Sequence, residues 1–152
     1  MSAEISKNRK ARHDFHIIDT YECGLELKGT EVKSIRAGKV NISDAFARVD
    51  KGQVFLHGCD IQPWETAGPW FQHMSRRPRR LLLHRSEILK IDQVTSQKGC
   101  TLVCLRMYWV NNRVKVEIGV AKGKTHGDQR QDLKNKVEMR EALREVSRFN
   151  RQ

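Results

Sequence analysis

The stretch from Thr101 to Val120 leaves a chain of this kind few choices. Val114, Val116, Ile118 and Val120 alternate with Arg113, Lys115, Glu117 and Gly119. A period of two sends one set of side chains to a buried face and the other to an outer face, as a β-strand does. A second run precedes it, from Thr101 to Val110, and Asn111-Asn112 makes the turn between them. A lone hairpin with one apolar face is marginal in water and calls for more strands.

The sequence supplies them. From Phe15 to Leu27 the odd positions are Phe, Ile, Asp, Tyr, Cys, Leu and Leu, and the even ones are polar or Gly except Ile18. His16, Glu22 and Glu26 then face outward. Asp44 to Val49 and Gln53 to Cys59 read as a second hairpin around Asp50-Lys51-Gly52. Thr30 to Ala37 reads as a short helix with Gly38 as its left-handed cap. Ile61 to Ser75 carries Pro63, Trp64, Gly68, Pro69, Trp70 and Phe71 without a period and reads as a long loop. Leu81 to Leu83 is a short apolar run, a strand or a helix start. A helix from Ser86 to Val94 comes next, with Ser86 as N-cap and Ile88, Leu89 and Ile91 toward the core. Short antiparallel strands with few short helices predict a mainly β chain and a small closed barrel.

Charge divides the 152 residues further, because the net charge of +11 is not evenly spread. Residues 1–12 carry four basic residues and one acid, residues 76–90 six and one, and residues 122–152 nine and five. The remainder is nearly neutral. One domain is expected over residues 1–121, with a basic tail after it over residues 122–152. Leu133, Val137, Met139, Leu143, Val146 and Phe149 fall near helical spacing in that tail. A stripe this thin suits a segment disordered when free and helical on a charged partner. A helix docked on its own barrel is the alternative. Three basic runs around a neutral core point to a polyanion, since neutralised phosphates release counterions.

Other classes fit less well. No run approaches the ~20 apolar residues of a membrane span, and residues 1–13 lack an apolar signal core, so a cytoplasmic location is expected. Cys23, Cys59, Cys100 and Cys104 show no CxxC spacing, so no metal site and no cofactor is expected. His13, Asp14 and His16 are the nearest approach to a catalytic group, with Asp14 and His16 on one strand face. No GxSxG, HExxH or complete phosphate loop accompanies them, and no enzyme is expected. By contrast, Trp64, Trp70, Phe71 and His73 precede Arg76, Arg77, Arg79 and Arg80, a run with no acid until Glu87. Rings that stack on unpaired bases beside arginines that hold phosphates suit RNA.

Four motifs give this pattern a family. They are Asn8-Arg9-Lys10-Ala11-Arg12-His13-Asp14-Phe15; the run from Gly29 to Lys39 continued by Asn41-Ile42-Ser43-Asp44; Leu81-Leu82-Leu83-His84; and the run from Lys115 to Lys124. In that order they resemble the SmpB family of SsrA-binding proteins over about residues 8–130. The resemblance implies an OB-like antiparallel β-barrel with flanking helices. It implies an RNA-binding translation factor that binds the tRNA-like domain of transfer-messenger RNA and brings it to stalled ribosomes in trans-translation. The small-subunit decoding centre and messenger channel would be partners, with EF-Tu reached through the charged RNA. The alternative is a general structured-RNA or tRNA-binding barrel protein of the ribosome without a rescue role.

By the same resemblance Asn8, Arg9, Glu22 and Leu82 match RNA-contacting positions. Lys10, Arg12, Lys33 and Arg36 lie within the same motifs and join the expected RNA-binding set with Arg76, Arg77, Arg79 and Arg80. Lys122, Gly123, Lys124, His126, Asp128, Arg130 and Lys134 are the expected tail residues at the decoding centre. Thr125 and Gln129 stand where the family usually has cations.

Overall fold

Six strands close on one another, and the hairpin around Asn111-Asn112 is the seam. The computed structural model describes residues 2–64, 67–68, 70, 72–96, 99–123 and 140. Along the chain lie β1 (Ser2–Lys7), α1 (Arg9–Asp14), β2 (Phe15–Leu25), α2 (Gly29–Arg36), β3 (Val40–Asn41), β4 (Phe46–Asp50) and β5 (Gln53–His57). Then come β6 (Asp60–Ile61), β7 (Arg79–Leu82), α3 (Arg85–Thr95), β8 (Cys100–Val110) and β9 (Arg113–Gly123). The sheet order is β1-β8-β4-β5-β7-β2-β9, and β9 pairs back onto β8. Every pairing is antiparallel. β8, β4, β5, β7, β2 and β9 thus form a ring, an OB-like barrel with one strand more than the five of that fold. β1 lies outside the ring, on the half of β8 nearest the hairpin turn. β3 and β6 form a separate ribbon.

Turn chemistry sets the two hairpins. Asn111 and Asn112 both take positive φ, at 49° and 64°, and Lys51 and Gly52 do so at 50° and 77°. Those signs match the right-handed twist of the flanking strands. The alternation in β9 holds, with Val114, Val116, Ile118 and Val120 all buried. They pack with Cys23, Leu25, Val54, Leu56, Leu81, Leu102, Cys104 and Met107 in the barrel core.

Two bulges correct the simple alternation. The register of β2 against β9 shifts between Ile17 and Asp19, and that of β8 against β9 between Cys104 and Arg106. An extra residue reverses which side chains point inward. Ile17 and Phe15 therefore leave the face that Tyr21 and Cys23 share. They join Ala11, Val103, Leu105 and Ala121 in a second cluster beneath α1. Other differences are local. β1, α1, β3 and β6 are absent from the sequence reading. β9 continues to Gly123, two residues beyond the expected domain end at 121. His84 rather than Ser86 is the N-cap of α3, and its backbone N–H donates to Glu87 at 3.2 Å. Ile91 enters the core, but Leu89 is exposed.

A buried ion cluster fixes where β7 enters the ring. Glu31, in the first turn of α2, has no exposed surface, and neither has Arg79. Arg77 and Arg79 both donate to the Glu31 carboxylate. Arg79 also donates to the carbonyls of Cys59 at 2.7 Å and Ser75 at 3.0 Å. The carboxylate accepts in addition from the Lys28 backbone N–H at 2.8 Å. Burial by itself would raise the Glu31 pKa, but the hydrogen bonds from Arg77, Lys28 and Arg79 outweigh it and hold the carboxyl below its ordinary 4.5. A lowered native pKa means stability that is complete above the ordinary value and lost as pH falls through the native one. Glu31→Gln should therefore cost about 3–5 kcal/mol in urea unfolding near neutral pH, because two guanidinium groups lose their counter-charge. The gap between variant and parent should narrow as the pH drops below that of ordinary carboxylates.

Candidate nucleic-acid interface

Period two in β2, β7 and β9 builds one outer wall. Gly24 of β2 pairs with Leu82 of β7 on one side and with Lys115 of β9 on the other. A Cβ at Gly24 would lie 3.1 Å from the Leu82 Cβ, so the missing side chain lets Leu82 lean across β2. Leu82 remains 46% exposed, which is surface rather than core. Glu22, one outward position along β2, is exposed beside it. Arg80, one outward position along β7, is exposed and pairs with Glu26 at 3.0 Å. The two contacts implied by the resemblance on β2 and β7, Glu22 and Leu82, thus meet on one surface together with Arg80.

A groove of about 550 Å³ opens beside Leu82. Leu27 and Val32 form one bank, and Trp109 and Asn112 at the tip of the β8–β9 hairpin form the other. Arg113 and Lys115 line it, and the Arg36 guanidinium sits 5.5 Å over the Trp109 ring. An aromatic face, an exposed aliphatic and several cations can hold a base against a phosphate backbone.

Glu22 is neither a bare solvated carboxylate nor a lysine partner. Its Oε2 accepts from the Tyr108 hydroxyl at 2.6 Å. Arg106 lies 4.2 Å over the Tyr108 ring and donates to Glu117 at 2.9 Å. Arg12 of α1 approaches the same Glu117 at 3.6 Å. Burial, then the bond to Glu22, raise the Tyr108 pKa well above its ordinary value, so the phenol keeps its proton.

Other residues of the expected RNA-binding set are buried or lie away from this wall. Asn8 is buried. Its amide donates to the carbonyls of Cys104 at 3.0 Å and Ile42 at 3.3 Å, and its carbonyl accepts from the Ala11 N–H as the cap of α1. It ties α1 to β8 and the chain before β4, and 6% of it stays exposed. Arg79 is equally withdrawn, since Glu31 absorbs it, and Arg77 is largely so. The acid that meets Arg77 and Arg79 comes from α2, far away in sequence. Arg76 lies 3.9 Å from both Asp44 and Asp60, apart from the Glu22 wall. Trp70 is 92% exposed and Phe71 lies outside the described residues. Lys33 is exposed on α2.

A second basic surface gathers around α1. Arg9, Lys10 and Arg12 are exposed there. Phe15 pairs with Gly123 and His16 with Lys122, so the last described residues of β9 emerge where α1 ends. Lys124, His126, Asp128, Arg130 and Lys134 lie outside the described residues, as does the expected order or disorder of the tail. Asp14 belongs to α1 rather than to the strand face of His16, and it bonds the His13 ring at 3.1 Å. Among the described residues no group of three His, Cys, Asp or Glu side chains is placed to hold a metal, and no helix is long and apolar enough to cross a membrane.

Sequence reasoning missed Tyr108, Arg106, Glu31 and Trp109. The bulge after Cys104 hid Tyr108 and Arg106, because uninterrupted alternation from Leu102 points both into the core.

Known proteins resemble this chain in sequence and in fold. The family model described as "SmpB protein" matches residues 5–148. An SsrA-binding protein of Thermobifida fusca (strain YX) is 53% identical over 144 residues, covering 95% of this chain and 87% of that protein. One from Geobacillus thermodenitrificans (strain NG80-2) is 52% identical over 148 residues, covering 97% and 92%. A solved chain described as "tmRNA-SmpB: a journey to the center of the bacterial ribosome" superposes with a TM-score of 0.66 at 42% identity, covering 84% of this chain and 93% of that one.

Two neighbouring arginines separate structure from surface. Arg80→Gln should lower RNA affinity and reduce the slope of log affinity against log salt by up to about one, with unchanged thermal stability. Arg79→Gln should lower stability first. Asn8→Ala should cost about 2 kcal/mol in urea unfolding, from a lost helix cap and lost buried bonds.

Proposed function

The chain belongs to the SmpB family, and from that premise we propose that it binds transfer-messenger RNA through the Glu22–Leu82 wall and carries it to stalled ribosomes for trans-translation. The observation that carries this reading is the meeting of Glu22, Leu82 and Arg80 on one outer surface, beside a groove lined by Leu82, Arg113 and Lys115. An exposed leucine gives a base or ribose an apolar seat. A carboxylate accepts from base amino groups or 2′-hydroxyls, and the cations hold phosphates. Most of these contacts position a folded RNA and do not read its sequence.

The second basic surface works at the other end of the task. α1 supplies Arg9, Lys10 and Arg12 next to the point where the chain leaves β9. From Lys122 onward the basic tail serves as the sensor of an empty messenger channel, with the decoding centre met at the tail's start. Delivery with EF-Tu on the charged RNA, and action in the cytoplasm, belong to the same proposal. No chemistry of its own is assigned to the chain. The rival, a general structured-RNA barrel protein without a rescue role, is not favoured, since the close relatives bear the name SsrA-binding protein.

The test compares binding to transfer-messenger RNA, an elongator tRNA and an unrelated hairpin across a salt series. A preference for the first that persists at high salt is expected. Equal and steeply salt-dependent binding to all three would leave only a basic barrel. Cutting the chain after Lys122 should spare that affinity and abolish tagging on stalled ribosomes; tagging at the parental rate would refute the tail's role.

A further inference from the structure

Tyr108 is a buried polar side chain that neither the barrel core nor the Glu22–Leu82 wall accounts for. It is 2% exposed, yet it belongs to neither apolar cluster. The β8 bulge turns it to the outer side, between Glu4 of β1 and Lys115 of β9. A phenol buried there needs a partner for its hydroxyl. It finds one two strands away by reaching diagonally over β9, because Glu22 itself pairs with Glu117 and not with Lys115. Arg106 covers the ring and donates its Nε to Glu117. Among the described residues Glu22 has no cation within ion-pair distance, and the Tyr108 hydroxyl is its one anchor among them.

We propose that Tyr108 is a positioning residue for RNA recognition, holding one carboxylate oxygen of Glu22 so that the other is presented on the outer wall as a fixed acceptor. The inference rests on the reading that Glu22 faces RNA. An unanchored glutamate on an exposed strand samples many rotamers, and ordering it on binding weakens the complex. It also carries a negative charge toward phosphates. Fixed by Tyr108, the free oxygen meets only a donor placed to match it, an amino group or a 2′-hydroxyl, and RNA that offers phosphate at that point is rejected. The buried phenol gives up its proton with difficulty, so the hydroxyl stays a donor through the working pH range.

The experiment uses the full chain, transfer-messenger RNA as probe, and the variants Glu22→Ala, Tyr108→Phe and the double variant. Tyr108→Phe keeps the ring beneath Arg106 and removes one oxygen. It should weaken binding about tenfold, the scale of a hydrogen bond to a charged group. The salt slope should not change, since no phosphate-binding cation is lost. Circular dichroism and a cooperative melt show that the barrel is intact. The double variant should bind as Glu22→Ala does, because Tyr108 acts only through that carboxylate. Parental affinity for Tyr108→Phe with a weakened Glu22→Ala would overturn the positioning role and leave the Glu22 reading standing. Parental affinity for Glu22→Ala would overturn both. Losses that multiply in the double variant, or a changed salt slope in Tyr108→Phe, would mean that the tyrosine acts elsewhere and would also overturn it.

Discussion

Glu31 sits without exposed surface between two guanidinium groups, and much of the molecule depends on that arrangement. A carboxylate taken out of water needs its charge and its lone pairs met. Arg77, Arg79 and the Lys28 N–H do so, and in return α2 is bound to the start of β7 and to the chain around Cys59 and Ser75. β7 is short, four residues between β5 and β2, and cannot hold its place by length. The ion cluster pins its first residue. Arg80, Leu81 and Leu82 then take fixed facings: one cation outward, one leucine into the core, one leucine across Gly24. The outer wall of Glu22, Leu82 and Arg80 is an outward consequence of an inward charge.

Asn8 does the same for the other basic surface. A single amide joins α1, β8 and the segment before β4, and α1 is otherwise only six residues long. A helix so short has little stability of its own. Its hold on the barrel comes from this amide and from the small cluster of Ala11, Val103, Leu105 and Ala121. The exposed Arg9, Lys10 and Arg12 are thereby set beside the exit of β9. Residues expected to contact RNA can thus also hold others in place: Asn8 and Arg79 are buried, whereas Glu22 and Leu82 face outward.

Period two and turn chemistry made the barrel legible before any coordinates. The β8–β9 hairpin, the β4–β5 hairpin and β2 lie where alternation and positive-φ residues place them, and α2 and α3 lie within a residue or so of their expected spans. The misses have several causes. β1, β3 and β6 form by pairing with a distant strand, which leaves little local signal. Both bulges insert one residue and reverse the facing of the residues beyond it. Leu89 fits an apolar helix stripe but lies at its edge, and the barrel reaches only as far as Ile88 and Ile91. The arginine run 76–80 looked uncompensated because its acids come from elsewhere in the chain, Glu31 for Arg77 and Arg79 more than forty residues away.

By itself the sequence determined a closed antiparallel barrel, the location of its basic excess and, through four ordered motifs, the family. These are properties of local pattern: alternation, turns and charge are carried by neighbours in the chain. Only the tertiary structure decided which charges face water. Burial and pairing are set by what folding brings alongside, so Arg79 met Glu31 and left the surface, while Arg80, one residue on, stayed outside. It also placed the Tyr108 hydroxyl against Glu22 across an intervening strand, a contact between residues 86 apart that a one-residue bulge makes possible.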